Sequence, residues 1–182
     1  MKSILMAAFE LFSCRGLKDV TIAEIASKAD VSQVSIYNFF QSKENLIRQA
    51  IFAFMDEKMK ESEQVLESEI PFFEKLERLF FITEEATDKS TPEFLLSAIN
   101  SDPLMRRLME EYYHDRTEPF IMCLIEQGKD QGAISRDLSS EAVHLYIQAL
   151  QGLLIQSSLS RQARLDINAL FFYGLQGKPR NP

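Results

Sequence analysis

Apolar residues recur along this chain at three- and four-residue spacing almost from end to end, and no segment shows the strict alternation of a half-buried strand. Ile4, Leu5, Ala8, Leu11 and Phe12 form one stripe on a first helix that ends at Gly16. Two short periodic segments follow. In the first, Ile22, Ile25 and Ala26 mark a buried face, and Thr21 with Glu24 three residues on makes a Thr-x-x-Glu capping box. Ala29 and Asp30 turn the chain. The second segment spans 33–39, with Ser32 as its cap and Ile36 and Phe40 on its inner side.

Ser42 caps a fourth helix over 43–66, whose inner face carries Leu46, Ala50, Phe54, Met55 and Met59. Pro71, Pro92 and Pro103 each stand where a periodic segment begins, a position that tolerates proline, and Thr91 and Asp102 precede two of them as caps. The pattern predicts helices over 71–86, 92–100 and 102–127, the last closed by Gly128. A loop over 132–137 and two final helices over 139–158 and 162–175 complete the chain, and the tail 177–182 is expected to be disordered. The fold class is all-α, with about nine helices. An N-terminal three-helix head over 1–46 precedes a C-terminal helical bundle over 47–182.

With Ile36 and Phe40 turned inward, Gln33, Val34, Ser35, Tyr37 and Asn38 point out. Hydrogen-bonding groups without charge on one short helix suit the reading of base edges and phosphates in a major groove. Gly16, Thr21, Ile25, Ala26, Val31, Ser32, Tyr37, Phe40, Lys43 and Leu46 fall where the TetR/AcrR family of bacterial repressors carries its helix-turn-helix pattern, so the first quarter of the chain resembles that family. The chain departs from the family pattern at Val34, where glycine is usual, and at Phe39, where tyrosine or histidine is more usual.

The resemblance implies a DNA-binding head, a small-molecule site in the bundle and a homodimer made by the last two helices. The DNA-contacting set is then Thr21 and Tyr37 at phosphates, and Gln33, Val34, Ser35 and Asn38 at bases, with Ser32 starting the helix. Val34 suits a thymine methyl. Lys43 and the amides of its helical turn suit a phosphate. The expected partners are a near-palindromic double-stranded operator, a second copy of the chain and a small-molecule effector.

Net charge is −7, yet residues 1–48 hold six lysines and arginines against five acids, which leaves −8 for the remainder. The acidic excess therefore lies outside the reading module, and local charge governs phosphate contact. It fits a cationic ligand in the bundle or an ordinary solvated surface. Cys14 and Cys123 stand far apart, as reduced cytoplasmic thiols do, and Cys14 reads as a packing thiol. No apolar run is long enough to span a bilayer.

Pro119 lies deep in the segment 102–127, where it removes a backbone hydrogen bond and bends the helix. Tyr112, Tyr113, Arg116, Phe120 and Cys123 surround the bend and are candidates to line a ligand pocket; the alternative is that they are mostly core, with Arg116 at the surface. The helix over 139–158 is apolar nearly all round, and the last helix repeats this with Leu170, Phe171, Phe172 and Leu175. Two apolar faces need two covers, which a twofold partner supplies. Leu145, Gln148, Gly152, Ile155, Phe171 and Leu175 are the candidate interface, against the alternative of one large monomeric core.

A rival from another class is a di-metal carboxylate bundle. Glu111 with His114 and Glu141 with His144 are both Glu-x-x-His pairs on predicted helices. Glu141 also suits a first helical turn without any metal. The sequence offers no nucleophile–base pair, no phosphate-cradling glycine loop and no zinc set, so neither enzyme, cofactor nor metal is expected.

Overall fold

The computed structural model describes residues 1–80, 98–99, 101–156 and 160–176, and the side chains of 80, 151–156, 161, 164, 165 and 168 stand outside that description. Helices α1 (Lys2–Arg15), α2 (Ile22–Lys28), α3 (Gln33–Phe40), α4 (Lys43–Glu67) and α5 (Phe72–Phe80) come first. Then follow α6 (Pro103–Tyr112), a π-helical turn (Tyr113–Thr117), α7 (Glu118–Asp130), α8 (Ser140–Gln156) and α9 (Arg161–Gln176). No strand occurs among the described residues. The helix expected over 92–100, the end of that over 71–86 and the tail fall largely or wholly outside them.

The chain divides into two compact units. One comprises Met1–Glu61 with the described part of Asp88–His114; the other comprises the described parts of Ser62–Thr87 and Asp115–Pro182. The division falls after Glu61 in α4, whereas the sequence pattern places it between residues 46 and 47, in the first turns of the same helix. Met105 and Leu108 of α6 explain the difference, because both are buried in the same core as Ile4, Phe12, Ile25, Ile36, Phe40 and Leu46.

In the first unit, α2 ends in a Schellman motif. Val31 N–H donates to the Ala26 carbonyl (3.0 Å) and Asp30 N–H to that of Ser27 (3.4 Å), with Asp30 at φ +53°. Aspartate tolerates that left-handed conformation better than most non-glycine residues, so one residue swings the chain from α2 into α3. Gln41, at φ +64°, makes the next corner. There Asn45 Nδ2 donates to the Phe40 carbonyl (2.9 Å), and Asn45 N–H donates to Ser42 Oγ (3.1 Å), which caps α4.

Helices α4 and α6 meet through two ion pairs of opposite polarity: Glu44 with Arg107, and Arg48 with Glu111. Both pairs have the same sequence separation of 63, so the two helices run parallel along this seam. A slip by one helical turn would set Arg48 against Arg107 or Glu44 against Glu111. The pairs are half exposed and each is worth at most about 1 kcal/mol. Their value lies in the penalty on the wrong register. Arg48 also lies over the Phe52 ring (4.4 Å), and Phe52 meets Tyr112 edge-on (5.1 Å).

The expected single helix over 102–127 is replaced by α6 of the first unit, the π-helical turn, and α7, which opens the described helices of the second unit's C-terminal part. Pro119 has no N–H, and its ring would strike the carbonyl four residues back; widening the preceding turn relieves that clash. Gly128 does not close the helix, which runs on to Asp130. The closing residue is Gly132, at φ +72°, with Ala133 N–H on the Gly128 carbonyl (2.9 Å). Gly128 serves packing instead: a Cβ there would lie 2.4 Å from Phe72 Cζ and 2.7 Å from Ile134 Cδ1. Lys75 is 3% exposed and carries its ammonium to the Leu66 carbonyl in the last turn of α4 (2.6 Å) and to Gln127 Oε1 (3.1 Å). A cation suits that negative helix end.

Alanine in place of Gly128 gains up to about 1 kcal/mol of helix propensity but incurs an overpacking cost of about 1–3 kcal/mol. Gly128→Ala should therefore lower the midpoint of chemical denaturation, and a raised midpoint would show that Phe72 yields freely.

Candidate nucleic-acid interface

Two buried side chains orient α3. Ile36 and Phe40 are fully inside, and Ser32 Oγ accepts from Ser35 N–H (3.0 Å) to start the helix. Gln33, Val34, Tyr37, Asn38 and Phe39 are then exposed; the fractions are 67% for Val34, 50% for Tyr37 and 57% for Phe39. Ser35 is half-buried and its hydroxyl lies 2.9 Å from that of Ser32, so it faces the cap rather than standing free. No residue of α3 is charged.

Thr21 makes the capping box that the sequence predicts, and this bears on its expected phosphate contact. Its hydroxyl donates to Glu24 Oε2 (2.8 Å) and accepts from Glu24 N–H (3.3 Å), while its own N–H donates to the same carboxylate oxygen (2.7 Å). The single hydroxyl proton is thus committed to the capping box, and a phosphate oxygen would have to displace Glu24 to receive it. Arg15 holds the other Glu24 oxygen through Nη1 (2.6 Å) and gives Nη2 to the Asp19 carbonyl (2.7 Å). The Arg15 guanidinium first, then the Thr21 N–H and hydroxyl, lower the Glu24 carboxyl to a pKa of about 2.

Several of the first unit's cations are turned on its own acids. Arg15 pairs with Glu24, Lys28 with Glu10 (2.8 Å), Arg48 with Glu111 and Arg107 with Glu44. Lys43 instead gives its ammonium to the Lys18 carbonyl (3.3 Å), a neutral acceptor that leaves two further donors for a phosphate. Lys18 has no ion pair among the described residues. Lys18, Lys43 and Lys2, which is likewise exposed and without an ion pair among the described residues, are therefore the head's cations open to phosphates, and sequence reasoning singled out only Lys43.

The five pocket candidates are not gathered in one unit. Tyr112 and Tyr113 belong to the first, and Arg116, Phe120 and Cys123 to the second. Tyr112 is core: its ring is buried and its hydroxyl donates to Asp56 (3.0 Å). Phe120 is half-buried, while Arg116 and Cys123 are exposed. Of the interface candidates, Leu145 is exposed and Gln148 half-buried, whereas Phe171 and Leu175 are buried within their own unit, Phe171 stacked on Tyr146 (5.6 Å). Among the described residues, the large exposed apolar side chains of α8 and α9 are Leu145, Tyr146, Leu170 and Tyr173, three of which the sequence reading left out of the interface. Leu170 and Tyr173 lie three apart on one stripe of α9, and Phe171 and Leu175 four apart on the other. The Gly152 and Ile155 side-chain positions lie outside the described residues.

The di-metal alternative gains nothing from the geometry. Glu111 accepts from Arg48 Nε (2.9 Å), which holds its carboxyl below the ordinary range, and His144 is buried with Nδ1 4.0 Å from Glu118. Glu141 is exposed. Among the described residues no three His, Cys, Asp or Glu side chains converge as a metal site would require.

A profile described as bacterial regulatory proteins, tetR family, matches residues 4–50. The chain is 32% identical over 137 residues to the uncharacterised HTH-type transcriptional regulator YhgD of Bacillus subtilis, covering 73% of this chain and 71% of that protein. It is 24% identical over 148 residues to the HTH-type transcriptional repressor KstR2 of Mycolicibacterium smegmatis, covering 80% and 72%. Among solved structures it is similar to a putative transcriptional regulator from Saccharomonospora viridis in complex with choline, at 26% identity and a TM-score of 0.60, covering 95% of this chain and 93% of that one.

The depressed carboxyl of Glu24 favours the folded state at pH values above its ordinary pKa, and that contribution is lost as the pH falls from about 4.5 towards 2. The stability difference between the parent chain and Glu24→Gln should shrink across this window in denaturation at successive pH values. A difference that stays constant from pH 6 to pH 3 would contradict the assignment.

Proposed function

The chain belongs to the tetR family of bacterial regulatory proteins, which are DNA-binding transcription regulators, and on that premise we propose that it is a cytoplasmic homodimeric repressor released from a near-palindromic operator by a small molecule. The observation that carries the reading is the outward face of α3. Gln33, Val34, Tyr37 and Asn38 are presented to solvent by a helix that Ile36 and Phe40 anchor from behind. Gln33 and Asn38 meet base edges, Val34 a thymine methyl and Tyr37 a phosphate. Lys43, with Lys18 beside it, takes the adjoining phosphates. Thr21 serves the head by fixing the start of α2, with Ser32 and Ser35 doing the same for α3.

The exposed stripe Leu145, Tyr146, Leu170 and Tyr173 supports pairing of α8 and α9 with those of a second copy, with Gln148, Gly152 and Ile155 on the same helices. Twofold pairing presents two heads to one face of the duplex, so the operator is a near-palindrome. The effector belongs to the second unit, where Arg116, Phe120 and Cys123 lie. The choline bound by the Saccharomonospora viridis regulator and the −8 charge outside residues 1–48 both favour a small organic cation. Such a ligand shifts DNA affinity only by its differential affinity for the two states of the dimer. Free Cys14 and Cys123 suit a reducing compartment, and no helix among the described residues is long and apolar enough to cross a membrane.

Binding-site selection from random duplexes with the full-length chain tests the reading. Gln33→Ala should cost about 1–3 kcal/mol on the selected site and relax preference at one position, whereas Lys43→Ala should weaken selected and random duplexes alike. Equal losses on both duplexes for Gln33→Ala would contradict the base contact. Tyr173→Glu combined with Leu170→Glu places two unpaired charges in the pairing stripe and should halve the molar mass seen by light scattering while leaving the helical circular dichroism intact. An unchanged mass would move the interface elsewhere.

A further inference from the structure

We propose that Phe39 is a second sequence-reading residue, and that with Val34 it makes α3 a detector of thymine methyl groups. The inference rests on the DNA-reading role of α3 argued above. Side chains that single out guanine or cytosine do so best through charge, arginine or lysine on guanine and glutamate or aspartate on cytosine. No residue of α3 is charged. What its outward face offers instead is Gln33 and Asn38, whose amides pair bidentately with adenine, and apolar groups, which meet the 5-methyl of thymine. Both halves of that inventory recognise the same A·T pair.

The apolar half is unusually concentrated. Five large hydrophobic residues of the first unit are exposed among the described residues, and three of them, Val34, Tyr37 and Phe39, stand on this eight-residue helix. Val34 and Phe39 belong neither to the head's core cluster nor to the half-buried hydrophobics packed against it. Phe39 lies edge-on to the buried ring of Phe40, with centroids 6.4 Å apart, and the corner at Gln41 follows two residues later, so the backbone that carries the ring is fixed on both sides. Five residues separate Val34 from Phe39, about 7.5 Å along the helix axis. That is roughly two base-pair steps of 3.4 Å each. The same five positions turn the helix by about 140°, so the two side chains stand on different flanks of its exposed surface and address different base pairs of one half-site. The solvent-exposed phenyl loses water on docking, and each methyl it covers should change affinity by about fourfold.

The test uses the full-length chain and a duplex obtained by selection. Each thymine of a half-site is replaced in turn by uracil, which deletes the 5-methyl and nothing else. The parent chain should lose about fourfold at two positions roughly two base pairs apart. Phe39→Ser should erase the uracil effect at one of them and Val34→Gly at the other, while Phe39→Leu, which stays apolar, should retain it. Three results would overturn the proposal: uracil tolerated everywhere, the same uracil penalty in Phe39→Ser as in the parent, or a selected half-site with G·C pairs at the positions facing α3. If Phe39→Ser weakens all duplexes equally, the ring meets the sugar–phosphate backbone and reads nothing. Failure to select any duplex would instead remove the DNA-reading role itself.

Discussion

Ile36 and Phe40 are the hold on which this molecule's function depends. Eight residues are too few to stay helical alone in water. Helix α3 persists because those two side chains are buried among Phe12, Ile25 and Leu46, at about 2 kcal/mol each, and because Ser32 and the Asn45 amide satisfy its two ends. Burial of that pair also decides which side chains cannot be inside. Gln33, Val34, Tyr37, Asn38 and Phe39 are outside by elimination, and so the reading surface is a consequence of core packing.

The same economy governs charge. A head that approaches DNA with a net charge near zero must choose which cations to leave free, and this one ties Arg15, Lys28, Arg48 and Arg107 to its own acids. Two of those pairs fix the register of α4 against α6, which brings Met105 and Leu108 into the head's core. Lys2, Lys18 and Lys43 are left for phosphates. Weak general attraction and an uncharged reading helix together shift the burden of recognition onto amide and apolar contacts at base edges.

Local signals were legible in the sequence because they are short-range. Thr21 with Glu24, Ser32 before α3, Ser42 before α4 and Asp102 before α6 each announce a helix start through a side chain and an amide two or three residues apart. What the sequence hides depends on partners distant along the chain. Nothing local says that Gly128 is small because Phe72 and Ile134 press on it, while Gly132 is the glycine that needs a positive φ. The register of α9 is hidden in the same way: the apolar run that ends it does not say that Phe171 and Leu175 turn inward and Leu170 and Tyr173 outward. Proline at 119 announced a distortion, and whether the turn kinks or widens is settled by the carbonyls around it.

The most direct test of the central claim is an amide NMR map of the full-length chain titrated with a selected duplex and with a random one. The outward face of α3, from Gln33 to Asn38, and the first turn of α4 at Lys43 should shift strongly with the selected duplex, and only the α4 turn should shift with the random one. Shifts confined to residues beyond α4, or identical shifts with both duplexes, would contradict the claim that α3 reads sequence.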